Sequence, residues 1–331
     1  MGVTEDIKKA IDAAAQIMVI THVDPDGDAL GSLTAMGVAL TQQGKSVTLL
    51  CDGSVPSRFS YLPMGDQVKQ VADGALDYDL LIAVDCGDEQ RMGQVYARLP
   101  QPTPKIINID HHITNSKFGD INLVDAVAVS ATEILYRLFG ELGYEITADL
   151  ALCLLTGLVT DTLGFRTDGV TANTLRTAGD LVEAGADLGL VTTQALKLKP
   201  MSTLRLWQIG LENMELEDGL IWSTINNQER KSAGHLSPST AGLVNLMADV
   251  NRAAASVVLL EMEDGTVRVG FRCRPPYNVS DVATALGGGG HPLASGCTME
   301  GPLEKAEALV VEMAKESIRQ QEVILNNGQN N

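Results

Sequence analysis

The sequence lacks paired cysteines. No two of its five cysteines form a CxxC pair; they are Cys51, Cys86, Cys153, Cys273 and Cys297. This spacing is typical of neither a structural zinc site nor a disulfide framework. We therefore expect the protein to work in a reducing compartment, the cytoplasm.

Long apolar runs are also missing. No stretch reaches the roughly 18 consecutive apolar residues that a membrane-spanning helix needs. The first residues, MGVTEDIKKAIDAAAQ, lack the long apolar core of a secretion signal. We expect neither a membrane partner nor secretion.

Positive charge is scarce. The chain has 24 Lys and Arg against 42 Asp and Glu, a net charge of −18. Such a surface repels long polyanions, which argues against a protein that tracks along duplex DNA. A short anionic substrate drawn into a local positive pocket remains compatible with this charge. Part of the acidity is expected to be functional, with aspartates neutralising metal ions.

The first half alternates continuous apolar runs with helical patterns. The runs AQIMVITH, SVTLLCD, DLLIAVDCGD and KIINIDHH predict an α/β domain with a mostly parallel sheet and helices on both faces. The second half mixes strands and helices and predicts a smaller α+β domain. We expect a first domain at 1–187, a linker at 188–203, a second domain at 204–325, a disordered tail at 326–331, and a cleft between the domains.

Three clusters of Asp and His follow the predicted strands. They span His22–Asp28, Asp85–Asp88 and Asp110–His112. In an open α/β sheet, ligands bind outside the carboxyl ends of the strands. We therefore expect the three clusters to lie along one edge of the sheet.

The first cluster, HVDPDGD, carries aspartates at alternate positions. Asp24, Asp26 and Asp28 repel one another unless a cation lies among them. The alternatives are a solvated acidic turn or a calcium loop, although the later Glu of an EF-hand is missing. The next residues, ALGS, open a helix whose amides are suited to phosphate.

The other candidate ligands also have structural explanations. Asp85 can serve as a helix cap or loop residue, and Asp161, in GLVTDT, as a helix-end carboxylate. Adjacent His111 and His112 cannot point the same way on an extended chain, so we expect one to bind metal and the other substrate. Their alternative is a surface histidine pair. Together the motifs supply two histidines and four aspartates, enough for two divalent ions that share one carboxylate.

These motifs, in this order, resemble the signature motifs of the DHH phosphoesterase superfamily. Its members include RecJ-like exonucleases, type II inorganic pyrophosphatases and cyclic-dinucleotide phosphodiesterases. The segment FRCRPPYNVSDVATALGGGGHPLASG resembles the DHH-associated domain. The combination is most similar to members that combine oligoribonuclease and 3′-phosphoadenosine-5′-phosphate (pAp) phosphatase activities.

The resemblance implies a role for each residue. One metal ion would be held by His22, Asp26 and Asp85, and the other by Asp28, Asp85, His111 and Asp161. His112 would contact the scissile phosphate, and Asp24 and Asp110 would orient ligands. Carboxylates mixed with imidazole suit two Mn²⁺ ions, with Mg²⁺ or Co²⁺ as substitutes.

The glycine run Gly287–Gly290 predicts an anion-binding loop, because amides without side chains approach an anion closely. His291 adds a donor, and Arg272 and Arg274 can pair with phosphate. We thus expect Gly288, Gly289, Gly290 and His291 to bind substrate together with the arginines. We expect the two arginines to face opposite sides of the strand, so that only one of them contacts substrate. Arg272 is the preferred candidate for that contact. A flexible surface loop is the alternative.

The predicted activity is metal-dependent hydrolysis of short oligoribonucleotides to mononucleotides and of pAp to AMP. A cyclic-dinucleotide or linear-dinucleotide (c-di-AMP or pApA) phosphodiesterase is an alternative, and so is a nucleotide-binding regulator without catalysis. A type II pyrophosphatase fits less well, since that class has a basic motif in place of GGGGH. A scaffold with plain acidic turns is the structural alternative. The expected partners are short RNA and small nucleotides, without duplex DNA, and a homodimer is compatible with the sequence.

Overall fold

The computed structural model describes residues 2–70, 78–99 and 103–328. Within it the chain divides into two compact units, residues 1–198 and 199–331.

The N-terminal unit is built on a parallel sheet of five strands. Its helices are α1 (Val3–Ala13), α2 (Gly27–Gln42), α3 (Gly93–Ala97), α4 (Ala131–Leu142), α5 (Ala148–Asp161), α6 (Ala172–Glu183) and α7 (Leu188–Val191). Its strands are β1 (Gln16–Ile20), β2 (Ser46–Leu50), β3 (Leu80–Val84), β4 (Lys105–Asp110) and β5 (Ile121–Val124), in the order β2-β1-β3-β4-β5. All neighbours are parallel, which confirms the predicted α/β class.

The central strand β3 explains why an apolar run predicted this sheet. Every residue of its LLIAV sequence is buried. Leu80 and Ile82 pack in the core shared with α2, α4 and α5, whereas Leu81 and Ala83 pack with Met92 of the segment before α3. Both faces of the sheet are therefore covered, and a continuous apolar run replaces alternation.

Helices α2 and α5 approach each other closely at their glycines. A side chain at Gly31 would place its Cβ 2.7 Å from the Cys153 carbonyl oxygen and 2.9 Å from the Gly157 nitrogen. Only glycine permits this approach. The contact brings the N-terminal turn of α2 beside the C-terminal end of α5.

The C-terminal unit contains a mixed sheet of six strands, which confirms the predicted α+β arrangement. Its helices are α8 (Met201–Glu212), α9 (Asn227–Ser232), α10 (Leu243–Ala248), α11 (Ser280–Ala285) and α12 (Leu303–Gly328). Its strands are β6 (Glu215–Glu217), β7 (Leu220–Ile225), β8 (Ala255–Glu261), β9 (Thr266–Cys273), β10 (Gly289–His291) and β11 (Ala294–Glu300), in the order β10-β11-β9-β8-β7-β6. Only β7 and β8 pair in parallel within this sheet.

Two expected irregular segments contain helix. The segment 188–203, expected as a linker, contains α7, a π-helical stretch Thr192–Lys197 and the start of α8. The tail expected to be disordered, 326–331, is helical as far as Gly328, because α12 continues to that residue. The last three tail residues lie outside the described range. Among the described helices, none combines the length and apolar character needed to cross a membrane.

Candidate functional site

Three neighbouring strands deliver the predicted ligands to one edge of the N-terminal sheet. His22 follows β1, Asp85 follows β3, and His111 follows β4. These strands are adjacent and parallel, so their carboxyl ends meet at the same edge. Helices α2 and α5 add Asp28 and Asp161 to the same place.

The first group consists of His22, Asp26 and Asp85. The His22 Nε2 lies 3.6 Å from Asp85 Oδ2 and 3.9 Å from Asp26 Oδ1. The opposite nitrogen, Nδ1, lies 2.7 Å from the Val23 carbonyl oxygen and donates to it, because a carbonyl can only accept. This contact fixes the tautomer and leaves the Nε2 lone pair free for a cation.

The second group consists of Asp28, His111 and Asp161. A third group, of Asp85, His111 and His112, shares Asp85 with the first and His111 with the second. The His111 Nε2 lies 3.3 Å from Asp161 Oδ2, 3.6 Å from Asp85 Oδ1 and 3.9 Å from Asp28 Oδ2. In each group the potential ligand atoms lie within 4.8 Å of one another. The first and second groups can each hold a metal ion, and Asp85 of the first lies 3.6 Å from His111 of the second.

Asp85 is the residue of this cluster whose surroundings are most suited to a cation. Its side chain is 3% exposed, and Oδ1 has no hydrogen-bond partner within the described part of the chain. Its backbone takes a left-handed conformation, with φ 56°, which aspartate tolerates better than most residues. An unpartnered buried carboxylate oxygen is costly, and a divalent ion would satisfy it.

The carboxyl groups of this cluster disfavour one another's ionisation. Burial, followed by repulsion from neighbouring aspartates, raises the pKa of Asp161 to about 10. The pKa of Asp85 is raised well above its usual value for the same two reasons. Burial also raises the pKa of Asp28, and attraction to His111 opposes that shift only in part. Bound cations would reverse this balance, which is the behaviour expected of ligands.

Asp28 is held by the N-terminal turn of α4. Its Oδ2 accepts from the Ala131 amide at 2.6 Å, and its Oδ1 accepts from the Thr132 amide at 3.1 Å and the Thr132 hydroxyl at 2.8 Å. The exposed amides of a helix N-terminus favour a carboxylate. Thr132 was not predicted as part of the site, although SATE, with Ser130 as the cap of α4, is a recognisable helix start.

His112 is oriented by Asp110. Its Nδ1 lies 2.7 Å from Asp110 Oδ1, and the Asn115 side-chain amide donates to Asp110 Oδ2 at 2.5 Å. The hydrogen bond with Asp110 raises the pKa of His112 despite burial. Burial opposes ionisation of Asp110, but its bonds with His112 and Asn115 outweigh that effect and lower its pKa. Asn115, four residues after His111, was not predicted as part of the site either.

The expectation that adjacent His111 and His112 diverge is wrong. Their ring centroids lie 4.6 Å apart, and both rings approach Asp85 Oδ1, each with a nitrogen at 3.6 Å. The alternation of an extended strand does not apply, because β4 ends at Asp110. Asp24 is exposed, and its amide donates to the Asp52 carbonyl oxygen, so its role in orienting a ligand stays a prediction.

The C-terminal unit has a pocket of about 460 Å³ over β9 and β11. Arg272, Gly287 and Gly288 line it, and contact of Arg272 with substrate stays a prediction. Arg268 lines it as well and was not predicted. The signal was in the sequence, since residues 268, 270 and 272 share one face of a strand.

The expectation that Arg272 and Arg274 face opposite sides of a strand rested on a wrong periodicity, because residues two apart share a strand face. The two arginines do separate, but for another reason. Strand β9 ends at Cys273, and Arg274 turns away to donate to the carbonyl oxygens of Val250 and Ala253 at 2.9 and 3.0 Å. Arg274 lines a different pocket, of about 350 Å³.

The glycine run has two parts in the structure. The amides of Gly287 and Gly288 donate to the Thr284 and Ala283 carbonyl oxygens and so end helix α11. Both amides thus donate within the chain, contrary to the expectation that they point at an anion, and contact of Gly288 with substrate stays a prediction. Gly289, Gly290 and His291 form the exposed edge strand β10, which pairs with β11. Their contact with substrate stays a prediction.

Two family models match the chain. The N-terminal domain of the DHH family matches residues 16–158, and the DHHA1 domain matches residues 236–320. A Thermus thermophilus protein named bifunctional oligoribonuclease and PAP phosphatase NrnA is 33% identical over 96% of this chain and 94% of its own length. The Bacillus subtilis protein of the same name is 28% identical, over 86% of this chain and 89% of its own.

A solved structure has the same fold. An exopolyphosphatase-related protein from Bacteroides fragilis superposes with a TM-score of 0.88 at 22% identity, over 98% of this chain and 97% of its own. RecJ from Thermus thermophilus, solved with Mn²⁺, superposes with a TM-score of 0.57 at 15% identity, over 96% of this chain and 54% of its own. The extent of the match to the Thermus NrnA relative and the two domain matches show that the chain belongs to the DHH family and carries a DHHA1 domain.

Proposed function

We propose that this chain is a metal-dependent phosphoesterase that hydrolyses short oligoribonucleotides to mononucleotides and pAp to AMP. The observation that carries the proposal is that two three-residue groups of metal-binding type are neighbours, with Asp85 Oδ1 of the first 3.6 Å from His111 Nε2 of the second. Two adjacent cation sites with a common carboxylate suit in-line displacement at phosphorus.

The donor set divides between two ions. His22, Asp26 and Asp85 would hold one ion, and Asp28, His111 and Asp161 the other, with Asp85 shared. When bound, such ions supply Lewis acidity for a phosphoryl oxygen and lower the pKa of a water nucleophile. The α4 amides hold Asp28 in place and oppose the rise in its pKa that burial causes, so the protein positions this ligand before any ion arrives.

His112 is the residue suited to contact the phosphoryl group. Asp110 accepts from Nδ1 and raises the pKa of His112, and the protonated ring then presents Nε2 as its free donor. A hydrogen bond from Nε2 to a phosphoryl oxygen would stabilise the charge that grows there during displacement. Asp110 and Asn115 act through His112 by holding the ring in one orientation.

The names of the relatives support the substrate class. The Thermus and Bacillus relatives are named for activity on oligoribonucleotides and PAP, and the first of them matches nearly the whole chain. The net charge of −18 favours small substrates over duplex DNA. We propose Mn²⁺ as the ion, since carboxylates and imidazole suit it, with Mg²⁺ or Co²⁺ as substitutes.

The compartment and the assembly state belong to the proposal too. All five cysteines are free and buried, which is compatible with a reducing cytoplasm. A homodimer is tested by light scattering on the full chain.

The test is an assay of the full chain with labelled oligoribonucleotides of two to five residues and with pAp, in Mn²⁺ and in EDTA. We expect mononucleotides and AMP in Mn²⁺ and no product in EDTA. The variant Asp12→Asn removes an exposed carboxylate paired with Lys8 and is the control for surface charge. Cyclic di-AMP and pApA are assayed beside the other substrates.

Each alternative has its own outcome. Preferred turnover of cyclic di-AMP or pApA would move the assignment to a dinucleotide phosphodiesterase. Retention of bound nucleotide without hydrolysis in Mn²⁺ would indicate a regulator. Failure to bind any divalent ion would reject the proposal and favour plain acidic turns.

A further inference from the structure

The carboxylate of Asp28 has one oxygen that is saturated with hydrogen bonds and one that is not. Oδ1 accepts from the Thr132 amide at 3.1 Å and from the Thr132 hydroxyl at 2.8 Å, whereas Oδ2 accepts only from the Ala131 amide, at 2.6 Å. A carboxylate offers about four lone-pair positions, two on each oxygen. A single position therefore stays open on this buried side chain, and it belongs to Oδ2.

The open oxygen is the one that faces the other metal-binding residues. Oδ2 is the Asp28 atom that lies 3.9 Å from His111 Nε2, within the group of Asp28, His111 and Asp161. The other oxygen is covered by the backbone of α5, because a Cβ at Gly157 would collide with both Asp28 Oδ1 and Thr132 Cγ2. Asp28 is thus built to offer one oxygen to the cluster.

The direction of the hydrogen bonds makes the Thr132 hydroxyl a donor to Asp28. An ionised carboxylate can only accept, so the single hydroxyl proton of Thr132 is directed at Oδ1. The Ser130 hydroxyl, 2.9 Å from Thr132 Oγ1, is then the donor in that contact, and its oxygen accepts from the Glu133 amide at 3.0 Å. Ser130, Thr132 and Asp28 form one buried chain of hydrogen bonds that ends at a ligand.

The number of oxygens that Asp28 offers bears on the choice of ion. Ca²⁺ takes about six to eight oxygen ligands and binds carboxylates through one or both oxygens. Smaller ions of octahedral preference, such as Mg²⁺ and Mn²⁺, accept a carboxylate through one oxygen. A carboxylate whose second oxygen is saturated therefore disfavours Ca²⁺ more than it disfavours Mn²⁺.

We propose that Thr132 is a positioning residue that makes Asp28 a one-oxygen ligand and thereby selects Mn²⁺ over Ca²⁺ at the group of Asp28, His111 and Asp161. This role rests on the proposed function for the presence of divalent ions. Thr132 acts through Asp28 and contacts no ion itself. Without its hydroxyl, a lone pair on Oδ1 becomes available and the carboxylate is free to turn both oxygens toward an ion.

The experiment compares Mn²⁺ and Ca²⁺ binding to the metal-free full chain by isothermal titration, on the wild type, Thr132→Val, Thr132→Ser and Ser130→Ala. The valine keeps the shape of the side chain and removes the hydroxyl, whereas the serine keeps the hydroxyl. Ser130→Ala is the matched control, because it removes the cap of α4 but leaves the Thr132 hydroxyl beside Asp28. Thermal melting reports whether each variant is folded.

We expect the wild type to bind Mn²⁺ more tightly than Ca²⁺. Thr132→Val should lower the ratio of the Ca²⁺ to the Mn²⁺ dissociation constant about tenfold at one of the two ion sites, the scale of one charge-assisted hydrogen bond. Thr132→Ser and Ser130→Ala should keep the wild-type ratio. A general loosening of the α4 start would instead change the ratio in Ser130→Ala as well.

Equal affinity of the wild type for the two ions would overturn the role of Thr132 without any variant, so the test holds even where Thr132→Val does not fold. An unchanged ratio in a folded Thr132→Val, or the same change in Ser130→Ala, would overturn it too. Hydrolysis of pAp in Mn²⁺ is scored separately. Turnover by the wild type with an unchanged ratio in Thr132→Val rejects the role of Thr132 alone. The expected ratios without any turnover reject the proposed function alone, and a wild type that binds neither ion rejects both.

Discussion

The two candidate sites of this chain are assembled in different ways. The metal-binding cluster collects loop residues at the ends of three adjacent strands, where a short motif fixes both the residue and its place. The C-terminal pocket lies on a sheet face, and its floor arises from the pairing of β9 with β11. A site at strand ends can be identified from short local motifs, whereas a site on a sheet face depends on the register between segments that are distant in sequence.

We expect the largest effect from removing Asp85, the carboxylate proposed to serve both ions. Asp85→Ala should abolish turnover, by about 1000-fold or more, because both cation sites lose a ligand. Metal analysis of the purified variant in Mn²⁺ should show a loss of bound ions alongside the loss of rate. The control is Asp12→Asn, which should keep both; wild-type turnover in Asp85→Ala would remove the bridging role altogether.

The next effect tests whether helix packing places the ligands. Gly31→Ala would push α2 from α5, because its Cβ meets the Cys153 carbonyl oxygen at 2.7 Å. We expect a loss of about 1–3 kcal/mol in the free energy of unfolding from overpacking. A ligand displaced by about 1 Å can cost 100-fold in rate, so kcat should fall as well.

The matched control for Gly31 is Gly140, a glycine of α4 that has no neighbour within 4 Å of an added Cβ. Gly140→Ala should leave turnover unchanged and raise stability by up to about 1 kcal/mol through helix propensity. Denaturant unfolding and steady-state kinetics on the two variants separate the effects. Full activity in Gly31→Ala would mean that the α2–α5 contact does not set the site.

The strands were predictable where burial on both faces of the sheet makes them continuous apolar runs. The apolar runs gave β1 to β4, but β5 was missed because it is a short edge strand whose four residues are only half-buried. Strand β10 was missed for a similar reason, since GGH is exposed and carries no strand pattern. Edge strands pack on fewer neighbours and so place fewer demands on their residues.

The site was predictable where a motif alone carries the chemistry. The cluster residues were found, but Thr132 was not, because its contact with Asp28 joins residues 104 positions apart. Asn115 is an ordinary residue until the fold places it beside Asp110, the partner of His112. Such supporting residues depend on tertiary contacts that no local pattern reports.

A smaller effect is expected from the residue that orients His112. Asp110→Asn keeps the shape of the side chain but weakens its bond with His112 Nδ1, so kcat should fall about 10- to 100-fold while bound metal stays unchanged. The matched control is Asp180→Asn, which alters an aspartate that accepts from the Tyr136 hydroxyl outside the cluster. Loss of metal from Asp110→Asn would show that this carboxylate supports the ions and not only the ring.

The smallest effect separates Arg272, the arginine preferred from the sequence, from Arg274. Arg272→Ala should raise KM for pAp about tenfold, because one phosphate contact is lost from the pocket. Arg274→Ala should change KM and kcat by less than about twofold, since its guanidinium binds the carbonyl oxygens of Val250 and Ala253 instead. Its cost should appear in unfolding, at about 1 kcal/mol for the lost hydrogen bonds. Steady-state kinetics and denaturant unfolding on the two variants test this difference. If Arg274→Ala raises KM as much as Arg272→Ala does, the assignment is wrong, because substrate would then lie against the pocket of about 350 Å³ that Arg274 lines.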